Sequence, residues 1–288
     1  MLKNQYDYII CGGGASGLLL AYRICNDPYF KNRSLLLIEK ETKDRNDRTW
    51  CFWESGEGDL ESIVYKTWNH AYFNADDFEI DFSFQPFRYK MIRSLDFYRS
   101  IKSKLSEFDQ LTQINESVSN IKDGWVTTEV QSYYGNMVFS SIYNLKSLLH
   151  QKKYPVLLQH FVGQVVQTHK PCFDPDKIEF MNFKVPQKGN TRFMYVLPLE
   201  PNKALLEYTL FSQNVLERKE YRDAIADFLQ ELPTGGYEIL EEEEGKIPMT
   251  CYRFDLKNNS KLLHIGTSGG WTKPSIGYTF QRINEKTK

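Results

Sequence analysis

The segment Gly12-Gly13-Gly14-Ala15-Ser16-Gly17 constrains this chain more than any other, because an apolar β-rich run ends there and a helical pattern begins. Tyr6 to Cys11 before it reads as a strand, and after it Leu18, Ala21, Tyr22 and Cys25 fall on one helical face. That helix should stop at Asn26 or Asp27, since Pro28 disfavours helical geometry in the residue ahead of it. Ser34 to Ile38 then reads as a short buried parallel strand ending in Glu39. Together these elements make a βαβ unit, the setting in which Gly-x-Gly-x-x-Gly spacing signals dinucleotide binding.

In such a unit Gly12 permits the tight turn, Gly14 lets the backbone approach a pyrophosphate, and Gly17 lets helix and strand pack closely. The N-terminus of the helix that follows then faces the phosphates, with Ala15 among the cofactor-binding residues. Glu39, 22 residues beyond Gly17, is placed to accept hydrogen bonds from adenosine ribose hydroxyls and to repel a 2′-phosphate. The position of the unit at the start of the chain favours FAD over a nicotinamide-type domain, by analogy with the class.

A chain of 288 residues predicts two domains. Leu95 to Leu105 has helical spacing, and strands are expected at Trp125 to Gln131 and Met137 to Tyr143 around a turn at Tyr134-Gly135-Asn136. From Gln159 to Phe211 the pattern becomes one of mixed-polarity strands, before helical spacing returns over Arg218 to Leu232. The fold class is therefore α/β: a doubly wound, Rossmann-like FAD-binding domain (1–55, 86–158 and 246–288) with a smaller, mainly antiparallel β-sheet substrate domain (56–85 and 159–245). The acidic run Glu241 to Glu244 reads as a solvated loop or helix end without function.

Composition excludes several function classes. With 36 basic and 37 acidic residues and no basic patch interleaved with aromatics, nucleic acid is not an expected partner. Cys11, Cys25, Cys51, Cys172 and Cys251 show no disulfide or zinc spacing, and read as reduced, mostly buried thiols of a cytoplasmic protein. His70, His150, His160, His169 and His264 lack metal-ligand spacing, so no metal is expected. No signal peptide and no spanning helix is expected, which leaves a membrane approachable only from the side.

Five further segments, in order, resemble the lycopene β-cyclase family of FAD-dependent carotenoid cyclases. They are Thr49-Trp50-Cys51-Phe52-Trp53; Tyr89 to Tyr98; Gln159 to Gly163 with Phe173-Asp174 and Met181 to Phe183; Phe193 to Leu199 leading into Leu205-Leu206-Glu207-Tyr208-Thr209; and Gly266 to Phe280 with its Pro-x-x-Gly-Tyr. Glu207 matches the first acidic position of that family's paired-acid motif, whereas the second is Tyr208 here. The resemblance further implies that Gly266, Gly269 and Gly277 belong to a second flavin segment. It also implies that relatives continue for roughly another hundred residues, so that the chain looks shortened.

What the resemblance implies is a redox-neutral ring closure. A buried, neutral Glu207 protonates the terminal double bond of lycopene, the cation is attacked internally, and loss of another proton leaves a β-ionone ring. Reduced FAD, charged by NAD(P)H, would stabilise the cation, and the lipid-soluble substrate implies peripheral association with the cytoplasmic membrane face. Trp50, Phe52, Trp53, Phe193 and Tyr195 would either flank a polyene or fill a core, and Lys40 and Arg48 would either meet phosphate or lie at the surface. From its strand pattern alone, Glu207 would be solvated. Two alternatives remain open: a flavin-dependent hydroxylase or prenyl reductase of the same architecture, whose usual Gly-Asp pair is Gly266-Thr267 here, and a non-catalytic FAD-binding relative.

Overall fold

Leu35–Ile38 is buried at all four positions, as expected of a strand with parallel neighbours on both sides. The computed structural model, which describes residues 4–288, divides into two compact units. One takes the described residues through Asn46 together with Ser94–Pro155 and Thr250–Lys288; the other takes Asp47–Arg93 and Val156–Met249.

The first unit is built on a seven-stranded sheet. Its order is Leu111–Ile114, Leu35–Ile38, Gln5–Cys11, Ser132–Ser140, Trp125–Thr128 and Val118–Lys122, with Leu262–His264 also pairing to Ser132–Ser140. Gln5–Cys11 is parallel to both neighbours, and the chain leaves it for one side and returns on the other, so its C-terminal end lies at a topological switch point. The helix Ala15–Asn26 buries Leu18, Leu19, Ala21, Ile24 and Cys25 and ends as Pro28 requires, with Asp27 extended. Arg23 near its C-terminus holds the helix Phe280–Lys286 by donating to Asn284 O at 2.6 Å and to Asn284 Oδ1 at 2.7 Å.

The turn expected at Tyr134-Gly135-Asn136 is absent. Those residues lie inside the strand Ser132–Ser140, and the chain reverses instead between Thr128 and Ser132. Gly135 marks a close approach: a side-chain carbon there would meet Ile9 Cγ1 at 2.9 Å.

The second unit has a seven-stranded sheet in the order Tyr237–Thr250, Val156–Thr168, Lys203–Ser212, Thr191–Glu200, Lys177–Asn182, His70–Ala75 and Phe78–Ser83. All pairings of the central strands are antiparallel; only Lys177–Asn182 and His70–Ala75 run parallel. On one face, Tyr221, Ile225 and Leu229 of the helix Arg218–Gln230 pack against Val162, Val166, Met194, Leu206, Tyr208 and Leu210.

The other face carries Glu207 and meets a small sheet of Thr49–Ser55, Phe87–Arg93 and Lys66–Trp68, whose Trp68 Nε1 donates to Pro198 O at 3.0 Å. The boundaries thus differ from those expected: Thr49–Ser55 and Phe87–Arg93 pair with each other along their whole length, and both fall in this unit. The Lys90 side chain is fully buried in the small sheet, donating to Glu54 Oε2 at 2.9 Å, to Gly56 O at 2.6 Å and to Glu61. Lys90→Ala is expected to cost on the order of 3 kcal/mol in denaturant unfolding, because it strands the carboxylates of Glu54 and Glu61; Glu61's partial contact with water keeps the loss at the low end for a broken buried pair.

Among the described residues, no helix is long and apolar enough to cross a membrane, and no cluster of metal-ligating side chains occurs. All five cysteines are free; Cys11 and Cys25 are buried, Cys51 and Cys172 are half-buried and Cys251 is exposed, so fewer are buried than expected.

Candidate functional site

Two groups of residues, one in each unit, have the chemistry of a site. In the first unit, Gly12 follows the strand with φ +101°, a left-handed conformation open to glycine, and its N–H donates to Ile38 O at 2.8 Å. Gly17 faces the carbonyl of Gly12 so closely that no side chain fits between them. Gly14 occupies the helix N-cap with no side chain capping it, and nothing lies within 4 Å of where its side-chain carbon would be. No side chain caps the first-turn N–H groups, which begin with Ala15, so they are left available to an anion.

Glu39 stands beside this loop, its Oε2 accepting from Gly13 N at 2.5 Å and its Oε1 from Glu41 N at 3.0 Å. Each oxygen keeps acceptor capacity for a hydroxyl. Gly266 reaches the same place from the far end of the chain: a side-chain carbon there would lie 2.5 Å from Ser16 Oγ. Gly269 packs on His264, and Gly277 closes a turn by donating to Lys273 O at 2.9 Å, so these two shape their own segment without touching the glycine loop. The loop, its uncapped helix and the neighbouring carboxylate are together suited to a dinucleotide such as FAD.

In the second unit, Glu207 lies on Lys203–Ser212 directly opposite Gly163 on one side and Tyr195 on the other. Beyond Gly163, on the adjacent strand, is Glu243; a side-chain carbon at Gly163 would be 3.0 Å from Glu207 Cγ and 3.4 Å from Glu243 Cγ. Gly163 is thus the gap across which the two carboxyls face one another, close enough for a hydrogen bond once one of them carries a proton. Thr49 Oγ1 donates to Glu243 Oε2 at 2.8 Å, while Glu243 Oε1 is buried and has no donor unless one of the carboxyls is protonated. Thr209, two residues along the same face from Glu207, is fully buried with its hydroxyl unpartnered.

The acidic run is therefore not the solvated loop or helix end expected. It is strand, and its side chains alternate: Glu242 and Glu244 pair with Arg222 and Arg218 of the helix on one face, while Glu241 and Glu243 turn to Arg93 and Thr49 on the other. Sequence reasoning missed Glu243 because four consecutive glutamates carry no periodicity that separates one from the next.

Electrostatics divide the pair. Burial, then the negative charge of Glu243 and a hydrogen bond to it, push the Glu207 carboxyl well above the ordinary range and so favour its protonated form. Burial also raises Glu243, but the hydrogen bonds from Thr49 and Glu207 and the nearby Arg48 guanidinium oppose that rise. Cys51 faces the same pair. Its thiol is pushed well up by burial and by the charges of Glu207 and Glu243, against a hydrogen bond from Tyr89, which rules it out as a ready nucleophile. Arg48 donates to Asp47 O at 2.6 Å and to Glu244 O at 3.2 Å, which keeps its charge near Glu243, while Lys40 lies 3.7 Å from Glu41.

Rings complete the surroundings. Tyr195 meets Phe193 edge-on at 5.0 Å and Phe180 at 5.6 Å; Phe180 in turn contacts Trp53 and Tyr89. Phe52 and Phe193 are buried as core, whereas Trp53 and Tyr195 belong to this ring cluster beside the carboxyls.

A family model described as "Lycopene cyclase protein" matches residues 7–288. The chain belongs to the lycopene cyclase family. As a lycopene cyclase family member it is 23% identical to lycopene beta-cyclase of Pantoea ananas, over 96% of this chain and 72% of that protein. It is 22% identical to a chromoplastic capsanthin/capsorubin synthase of Citrus sinensis, over 97% of this chain but only 58% of that protein. Among solved structures, a geranylgeranyl bacteriochlorophyll reductase-like protein of Thermoplasma acidophilum superposes with TM-score 0.72 at 14% identity, covering 99% of this chain and 76% of that one. The flavin-dependent brominase Bmp2 does so with TM-score 0.67 at 16% identity, covering 98% and 77%. These likenesses establish the fold, an α/β architecture with a Rossmann-like unit beside an antiparallel sheet.

Proposed function

We propose that the protein is a lycopene β-cyclase, an isomerase that closes the linear ends of lycopene to β-ionone rings with reduced FAD bound. The observation that carries this reading is the setting of Glu207: a carboxyl on the inner face of an antiparallel sheet, facing a second carboxyl across Gly163 and beside a cluster of aromatic rings, where burial favours its protonated form. Protonating an alkene needs an undissociated acid in a dry place, and a carbocation needs shelter from water. Family membership and the relatives named for carotenoid chemistry support the same substrate class.

Glu207 would deliver its proton from a carboxyl oxygen to the terminal double bond. Attack by a neighbouring double bond forms the ring's new C–C bond, and loss of a ring proton to the carboxylate restores both the alkene and the acid. No electrons are gained or lost. Tyr195, Phe180 and Trp53 would present ring faces to the cation, and the apolar setting would exclude water. Gly12, Gly14, Ala15 and Gly17 would hold the pyrophosphate of FAD and Glu39 its ribose, with Gly266, Gly269 and Gly277 forming the second flavin segment. When bound and reduced by NAD(P)H, the flavin supplies an anionic ring that favours nearby positive charge. A substrate confined to lipid makes peripheral contact with a membrane face part of this proposal.

Purified protein incubated anaerobically with FAD, NADPH and lycopene vesicles in deuterated water is expected to form cyclic product with one solvent deuterium per ring, as Glu207 exchanges its returned proton with solvent between turnovers. Product that appears only with oxygen, carrying a new hydroxyl, would replace this reading with a hydroxylase.

A further inference from the structure

The site contains one carboxyl more than a single acid requires. Glu243 reaches toward Glu207 across the bare backbone of Gly163, takes a hydrogen bond from Thr49, and has a buried oxygen that lacks a donor among the described residues and that a proton on the pair would satisfy. We propose that Glu207 and Glu243 form one proton-sharing pair, with the proton on Glu207 and the charge on Glu243, and that Glu243 acts as a positioning residue that keeps the acid loaded. The inference deepens the cyclase reading and rests on it.

Geometry gives the two carboxyls different environments. Glu243 accepts from a fixed hydroxyl and has Arg48 nearby, so charge is tolerated there; among the described residues, Glu243 is the one side chain facing Glu207 that could share a proton with it by a hydrogen bond. Neighbouring carboxyls whose environments differ in this way separate into acid and base. During cyclisation the balance closes within the pair. Glu207 gives its proton to the substrate, leaving two negative charges side by side; the C–H bond that breaks at ring closure returns one proton, and the repulsion between the carboxylates favours that return.

The other ionisable groups facing the pair are few. Cys51 and Tyr89 lie on the small sheet, Tyr195 stands opposite Glu207, Arg48 and Glu241 flank Glu243, and Arg93 neutralises Glu241. Burial holds Cys51 protonated, so it does not titrate with the pair.

The test is infrared titration of the purified protein without lycopene, following the carbonyl stretch of protonated carboxyl groups. Wild type is expected to keep one such band above neutral pH, and Glu207→Gln to remove it. Glu243→Gln takes away the partner charge, so the midpoint for losing the band should fall by about one pH unit or more, a tenfold weaker hold on the proton. Glu243→Asp, which keeps the charge, should recover part of the shift. Thr49→Val weakens the support of Glu243's charge and should move the midpoint upward; it is read alone if the Glu243 variants do not fold.

A structural role for Glu243 predicts neither opposed direction. An unmoved midpoint in folded Glu243→Gln, or a band that survives Glu207→Gln, overturns the pairing. Because no lycopene is present, a pair that titrates as described in a protein that makes no cyclic product leaves the pairing intact and removes the cyclase reading alone.

Discussion

Glu207→Gln is expected to reduce cyclisation by about 10²–10⁴-fold while leaving flavin retention unchanged, since the amide keeps the shape of the carboxyl and cannot donate a proton to an alkene. The same variant should be more stable than wild type at neutral pH. Because the folded-state affinity of Glu207 for its proton is raised, the native protein binds more protons than the unfolded chain at any pH between the ordinary glutamate range and the folded value. Stability contributed by this group is thus fully present below the unfolded value and lost as pH rises. Gln has no such dependence, so the variant's advantage should be near zero at about pH 4 and grow with pH. Denaturant melts at three pH values measure this. An advantage that is flat with pH would mean that Glu207 is not held neutral.

The second large effect is expected at Gly14. Its backbone, with φ −77° and ψ −169°, suits any residue, and no atom lies within 4 Å of the added carbon. Gly14→Val should therefore fold with unchanged melting behaviour in the absence of cofactor, yet lose flavin affinity by at least ~100-fold, about 2.7 kcal/mol, because the branched side chain fills the approach a pyrophosphate needs. Equilibrium dialysis with FAD, beside thermal melts of the cofactor-free protein, separates these outcomes. Retained affinity would place the cofactor elsewhere. Gly17 offers no such separation, since any side chain there collides with Gly12 whether or not a ligand is present.

What the sequence made legible was local. The strand, glycine turn, helix and second strand are fixed by residues next to one another, and each element ends within about two residues of its expected place. The helix Ser94–Leu105 and the helix Arg218–Gln230 were legible for the same reason, a single apolar stripe. What stayed hidden depended on partners distant in sequence. Gly135 looked like punctuation because the Ile9 side chain that demands a glycine lies 126 positions earlier. Thr49–Ser55 looked like a continuation of the first unit until its pairing with Phe87–Arg93 was seen. Glu207 was found through the motif around it, whereas its half-buried setting opposite Glu243 could not be read from a strand that is apolar on both faces. Glu243 had no motif, and only the strand order brings it across from Glu207.

The interleaving of the two units bears on how the protein comes to be made. Gln5–Cys11 is synthesised well before one of its two strand neighbours, Ser132–Ser140, and the sheet of the second unit is not complete until Tyr237–Thr250 has been synthesised. Neither sheet can close on an early nascent chain. The glycine loop must wait exposed for more than a hundred residues, and the apolar strand ahead of it needs protection from misassociation during that time. Pairings at such sequence separation are slow to form. Yield in cells should accordingly depend on chaperone capacity and translation speed more than the stability of the finished protein would suggest.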